Sequence, residues 1–170
     1  MKKRPNFILL NGAMGTGKST IAALLEKKLE RTAVLEIEDV RELISDFQRG
    51  KVDNALAWNV IYRMCDEYFK NGVSVLLEQT VCSPDMVNKY LLLAKKHGCT
   101  VRFYHLRAPK QKLLKRINAR KKDRHASKAL TISNIEKHEK INYIGATVID
   151  TEKMKPTEVV KLILKDLKKS

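Results

Sequence analysis

The sequence predicts an α/β layer domain built on about five parallel strands, and three observations predict it. Short apolar runs recur between segments of helical periodicity; the clearest, residues 7–10 and 73–77, are apolar almost throughout; and the first leads straight into a glycine-rich segment. Strands apolar on both sides need cover on both sides, and each parallel connection must cross over the sheet, so the intervening helices form outer layers. The 170 residues are 44% apolar with 7 Gly and 4 Pro, which excludes a generally disordered or collagen-like chain. No internal repeat or Pro/Gly/Ser-rich linker divides them, so one domain over residues 1–170 is expected.

Taken in order, residues 7–10 read as a buried strand, followed by the glycine-rich turn and by Ile21, Ala22, Leu24, Leu25 and Leu29 at helical spacing. A second strand over 33–37 ends in the acidic pair Glu38 and Asp39, ahead of a helical segment over 41–47. Residues 53–69 are expected to be helical, with Leu56, Val60, Met64 and Tyr68 on one stripe and Asn71-Gly72 closing the segment. The third strand covers 73–77, with Glu78, Gln79 and Thr80 just beyond it. Pro84 opens a helix running through Lys96, Gly98 ends it, and residues 101–106 form the fourth strand. Pro109 starts another helix; a segment over 132–142 is helical, residues 147–149 make the last strand, and residues 157–167 the closing helix.

Lys and Arg number 34 against 19 Asp and Glu, a formal charge of +15. That balance suits a polyanion, an anionic membrane surface or phosphorylated ligands, and constrains electrostatics rather than fold. The three cysteines, Cys65, Cys82 and Cys99, include no CxxC pair, so neither a disulfide framework nor a four-cysteine zinc site can be built from them. The basic residues 1–4 precede an apolar run too short for a signal peptide, and no run approaches the roughly 20 residues that span a bilayer. A soluble, cytoplasmic protein with no membrane partner is the expectation.

Gly12-Ala13-Met14-Gly15-Thr16-Gly17-Lys18-Ser19-Thr20 satisfies GxxxxGK[ST] between a predicted strand and a predicted helix, the context in which this motif cradles phosphate. Its glycines let the backbone curve around the anion with several N–H groups turned inward, and the following helix adds its unsatisfied first-turn donors. Lys18 is placed to reach the β and γ phosphates as a mobile point charge, Ser19 to ligate Mg2+ bridging the same phosphates, and Thr20 to support the first turn.

The loop alone does not separate kinase, ATPase and GTPase. Phosphoryl transfer to a hydroxyl needs a group that orients or accepts its proton, a metal site and positive charge around the migrating group. Glu38 and Asp39 lie after the second strand, at the sheet edge where ligands of such folds gather, and either suits the first role. Arg41 is placed to clamp an anionic acceptor or the transferring phosphate, and Glu78 to hold Mg2+ or orient the acceptor. Over residues 110–128 basic side chains are opposed only by Asp123. Arg116 and Arg120 share a helix face there, while Leu113, Leu114 and Ile117 dock the opposite side. That arginine face suits nucleotide phosphates and the base edge, with a lid at about 120–131 closing over the site; Asp150 and Thr151, after the last strand, are candidates for the base pocket.

On these residues the chain resembles the small P-loop kinases of the adenylate-kinase-like superfamily, in particular the polynucleotide-kinase, gluconate/shikimate-kinase, chloramphenicol-phosphotransferase and zeta-toxin-like branches. The resemblance rests on Gly12 to Thr20, on Glu38-Asp39-Val40-Arg41, on Glu78-Gln79-Thr80 and on the pair Arg116 and Arg120. It implies a P-loop NTPase three-layer sandwich with strand order 2-3-1-4-5 and a small basic lid. It also implies an acid after strand two that activates the acceptor, with Glu38 at that position and Asp39 beside it, and lid arginines Arg116 near adenine or phosphate and Arg120 on the transferring group. The chain has no NKxD-type guanine-reading segment, which favours ATP and Mg2+ with a small-molecule, nucleoside or nucleotide acceptor. Two other readings stay open: a nucleic-acid-associated NTPase or polynucleotide 5'-hydroxyl kinase, motivated by the basic excess, and a nonenzymatic nucleotide-binding protein.

Overall fold

The computed structural model describes residues 4–48, 50–119 and 127–169. The elements follow one another as β1 (Asn6–Gly12), α1 (Lys18–Glu26), β2 (Thr32–Glu36), α2 (Ile37–Glu42), α3 (Lys51–Lys70), β3 (Ser74–Gln79), α4 (Pro84–Lys96), β4 (Thr100–Arg107), α5 (Lys110–Asn118), α6 (Lys128–Lys140), β5 (Thr147–Asp150) and α7 (Pro156–Leu167). The strands form a five-stranded sheet in the order β2-β3-β1-β4-β5, every neighbouring pair parallel, as the resemblance implies.

The apolar run at the start of the chain makes β1 the central strand. Phe7, Ile8, Leu9 and Leu10 are all buried, and because strand side chains alternate, they serve opposite layers. Phe7 and Leu9 pack with Val75, Leu77 and Phe103 beneath α3 and α4. Ile8 and Leu10 pack with Leu76, Tyr104 and Leu106 beneath α1 and α7. The helices start where local chemistry allows: Ser83 Oγ accepts the Met86 N–H with Pro84 in the first turn of α4, and Ser127 Oγ accepts the Leu130 N–H at α6. Gly98, at φ +65°, turns the chain out of α4.

Two expected elements are corrected. The helix after β2 spans Ile37–Glu42 rather than 41–47, because Ile37 and Val40 are both buried and draw that turn onto the core. Glu38 and Asp39 therefore stand in its first turn instead of ahead of it. On α3 the inward stripe is Ala57, Ile61, Cys65 and Phe69, one residue on from the expected one; Leu56 is exposed, and Val60, Met64 and Tyr68 flank the core. The small Ala57 and Cys65 let α3 approach closely, and Phe69 meets Phe7 edge to face at 5.6 Å. Of the expected lid, residues 120–126, Arg120 included, lie outside the described residues, and Lys128 to Thr131 form the start of α6. Among the described residues no helix is long and apolar enough to cross a membrane.

The α6 side of the sheet also buries two imidazoles. His105 of β4 is fully buried and His138 of α6 nearly so; their rings lie 5.6 Å apart, and Tyr143 meets His105 edge-on at 4.9 Å. Burial lowers His105 to about 4, with the Arg107 and Lys18 charges adding to it. Burial lowers His138 to about 3, reinforced by Lys18, His105 and Arg107. Both groups lie below the ordinary value of about 6.5, so protons bind the unfolded chain preferentially. Their contribution to stability is complete above pH 6.5 and declines as the pH falls toward 4, by up to about 1.4 kcal/mol per pH unit for each group. Urea unfolding from pH 7.5 to 4.5 should show this decline, and His138→Leu should flatten it; equal slopes in the two proteins would contradict the assignment.

Candidate functional site

β1 delivers the glycine-rich loop, and one side chain ties it to its neighbour. Asn11 is fully buried; its Nδ2 donates to the Val81 carbonyl at 3.0 Å, and its Oδ1 accepts the N–H groups of Val81 at 3.0 Å and Gly12 at 2.9 Å. The exit of β1 is thereby bound to the segment leaving β3, and the Tyr143 hydroxyl donates to the same Val81 carbonyl. Across the loop the fit to β4 and α5 is tight. A Cβ on Gly12 would stand 2.5 Å from the Leu106 carbonyl oxygen, and one on Gly15, at φ +84°, would stand 2.9 Å from that of Leu113. Side chains at these positions would force the loop off its supports.

The loop is closed on itself from within. Thr16 Oγ1 donates to the Ala13 carbonyl at 2.9 Å, and the buried Lys18 Nζ donates to the Gly12 and Ala13 carbonyls at 3.0 and 3.1 Å. The Met14 N–H donates to Asn134 Oδ1 of α6 at 3.1 Å. Helix α1 begins at Lys18 with no acidic residue in its first turn, so none of its own side chains offsets the positive end that faces the loop. This is an anion cradle by geometry and by field.

The acids separate into two groups. Glu78 is the penultimate residue of β3 rather than a residue beyond it, buried to 5% exposure, paired in register with Leu10 on one side and Glu36 on the other. Ser19 Oγ donates to Glu78 Oε1 at 2.7 Å, joining the motif's hydroxyl to a strand-end carboxylate 59 residues away. Glu38 and Arg41 form an ion pair at 2.7 Å on α2. Arg41 also donates to Asn54 Oδ1 at 2.6 Å and lies over the Phe47 ring at 5.6 Å. Asp39 is exposed.

Arg116 of α5 closes the other flank. Its guanidinium donates to the Gly15 carbonyl at 3.3 Å, to Thr151 Oγ1 at 3.0 Å and to the Thr151 carbonyl at 2.6 Å. A cavity of about 480 Å³ opens there, lined by Gly15, Thr16, Gly17, Thr20, Arg116 and Thr151 among others. Asp150 lies outside it and lines a second cavity.

The structure thus brings Gly12, Ala13, Met14, Gly15, Thr16, Gly17, Lys18, Ser19 and Thr20 together with Glu78 and Arg116, and pairs Glu38 with Arg41 on α2. Sequence reasoning passed over Asn11, Asn54 and Asn134. Asn11 had one visible signal, an amide between a fully apolar run and the first glycine of the motif; the partners of Asn54 and Asn134 are set by folding alone. Cys82, which receives a 3.5 Å contact from Asn134 Nδ2, has its thiol pushed up by burial, with Lys137 and Lys18 acting against that. It is a packing group rather than a ready thiolate.

A parallel sheet in this order carrying such a loop between its first strand and helix defines a P-loop NTPase fold. The chain belongs to the AAA_33 family of AAA domains, whose model matches residues 7–140. No curated protein matches it in sequence. Among solved structures it is similar to a sugar kinase from Janibacter sp. HTCC2649, with 17% identity, TM-score 0.70, and 96% of this chain and 95% of that one covered. A gluconokinase from Sinorhizobium meliloti 1021 gives 16% identity and TM-score 0.67 over 98% and 94% of the two chains. The APS kinase CysC of Mycobacterium tuberculosis, solved in complex with AMPPNP and APS, gives 16% identity and TM-score 0.67 over 97% and 98%. At these identities the likeness is one of fold.

Asn11→Ala should cost about 2–4 kcal/mol, because buried N–H and carbonyl groups lose their partner. Urea unfolding measures the loss, and a change within experimental error would show that the clamp contributes nothing.

Proposed function

We propose that the protein transfers the γ phosphate of ATP to a hydroxyl of a small molecule, nucleoside or nucleotide. The observation that carries this reading is the Ser19–Glu78 hydrogen bond at the mouth of the phosphate loop, which gathers two hard oxygen donors beside Lys18. Such a pair suits Mg2+, which keeps most of its shell as water and phosphate oxygens and needs no full protein cage. Among the described residues no group of three or more His, Cys, Asp or Glu could hold a metal, which sets this donor set apart from a zinc centre. When bound, Mg2+ supplies charge neutralisation on the β and γ phosphates.

The chain's own groups account for the remainder. The loop N–H groups and the α1 terminus hold the phosphates, and Lys18 moves from the Gly12 and Ala13 carbonyls onto phosphate oxygens, adding positive charge where negative charge develops. Glu38 orients the acceptor hydroxyl and takes its proton as the oxygen attacks. Its support over Asp39 is that it is half-buried and held by Arg41, itself anchored on Asn54, whereas Asp39 is exposed. Arg116 and Thr151 border a cavity that we take as the place of the base, and the family resemblance gives Arg120, which lies outside the described residues, to the transferring group. The structural neighbours named for sugar, gluconate and APS kinase activities support an acceptor of metabolite size.

Incubation with γ-labelled ATP and an acceptor panel should give acceptor-dependent label transfer. Lys18→Ala should lower it by about 10²–10³-fold. Glu38→Gln should lower kcat by about 10²–10⁴-fold with ATP affinity little changed, and Asp39→Asn should leave it nearly intact. ATP binding without transfer to any acceptor would overturn the reading in favour of a nucleotide-binding protein. The charge of +15 is the specific reason to include DNA and RNA 5'-hydroxyl ends in the panel; turnover on those ends alone, with a steep salt dependence, would make the protein a polynucleotide kinase.

A further inference from the structure

On the sheet face opposite α1 and α7, a second cavity of about 370 Å³ lies between the ends of β4 and β5 and the helices α5 and α6. It backs onto the phosphate loop, with Thr16 lining both cavities. The strap in which Thr151 donates through its N–H and its Oγ1 to the Arg107 carbonyl, at 2.8 and 3.1 Å, separates it from the cavity beside Arg116. Its walls are apolar, with Leu106, Leu113, Ile135 and Val148, and its polar groups converge from two elements.

His105 and His138 line this cavity. Among the described residues, Nε2 of the first and both ring nitrogens of the second are buried without a hydrogen-bond partner. Buried polar groups in that state call for a partner, either water or a ligand. Arg107 Nε donates to His105 Nδ1 at 3.3 Å, which puts the His105 proton on Nε2 and makes it a donor. A neutral His138 offers one donor and one acceptor. Most of the other polar lining groups are committed: Thr16 Oγ1 donates to Ala13, Arg107 also donates to the Ile141 carbonyl, Asp150 pairs with Lys153 at 3.6 Å, and the Glu139 charge acts on Lys110.

We propose that this cavity is a second ligand site, separate from the nucleotide site, which takes a neutral cyclic amide whose adjacent C=O and N–H pair with His105 and His138. A purely apolar ring would leave all three ring nitrogens unpaired, whereas a cyclic amide pairs one on each histidine.

The probe is 2-pyridone, with δ-valerolactam as a second cyclic amide and benzoate and benzene as class controls, titrated into the full chain with side-chain ¹⁵N signals of the histidines as the readout. Saturable shifts of His105 and His138, with His97 unmoved, and persistence of binding under saturating ATP are expected. Val148→Trp, at a wall position 51% exposed, closes the cavity from its rim without entering the core and should weaken binding about tenfold or more. His138→Phe, checked for folding by its melting curve, should abolish it. Absence of saturable shifts with both amides overturns the proposal. So does displacement by ATP, equal affinity for benzoate or benzene, or unchanged affinity in Val148→Trp.

Discussion

The site depends on how the end of β1 is held between its two neighbours. The side chain of Asn11 binds it to the chain leaving β3, and the absence of a Cβ on Gly12 lets it lie against the carbonyl of Leu106 at the end of β4. These contacts set the height and tilt of the phosphate loop relative to two other strand exits. From that placement follow the reach of Ser19 to Glu78 and the position of α5, whose Leu113 and Ile117 lie beneath Gly15. A loop of the same sequence on a free peptide would have none of these supports, and its N–H groups would scatter into solvent.

Around that anchor, polar and charged groups are held by partners within the protein. Lys18 rests on loop carbonyls, the Met14 N–H on Asn134, Glu38 on Arg41, and Arg116 on Thr151 and Gly15. Burying such groups without partners would be costly, and the internal hydrogen bonds offset that cost while keeping each group near its station. In the proposed reaction, exchange of the partners of Lys18, Arg116 and the Met14 N–H for phosphate oxygens then requires rotation of side chains rather than rebuilding of backbone. Preorganisation of this kind is what electrostatic stabilisation of a transferring phosphoryl group needs.

The two faces of the sheet are unequal. The α1 and α7 face is closed by a largely aliphatic cluster with Tyr104 and carries the cavity beside Arg116 at its edge. The α6 face includes an imidazole pair, Tyr143 and a cavity of its own, so that polar chemistry lies on both sides of the phosphate loop. The excess of positive charge is distributed accordingly: a few cations, Lys18, Arg107 and Arg116 among them, border cavities or the loop, while most lysines of the helices are exposed.

Local pattern was enough to determine the alternation of strands and helices, the burial of the run containing Phe7 to Leu10, and the identity of the phosphate loop, because each rests on contacts between near neighbours or on a spacing that few other structures tolerate; the strand order came from the family resemblance. The start of α2 and the inward face of α3 were misread for one reason: burial against the sheet, not hydrophobicity along the helix, selected Ile37 and Val40 in the first and Ala57 and Cys65 in the second. Tertiary structure alone decided which groups meet. Ser19 and Glu78 are 59 residues apart, Asn11 and Val81 are 70, Met14 and Asn134 are 120, and His105 finds His138 only because α6 folds back over β4. Those pairings are products of chain crossover in a parallel sheet, which brings distant segments to one edge and leaves no periodic trace in the sequence.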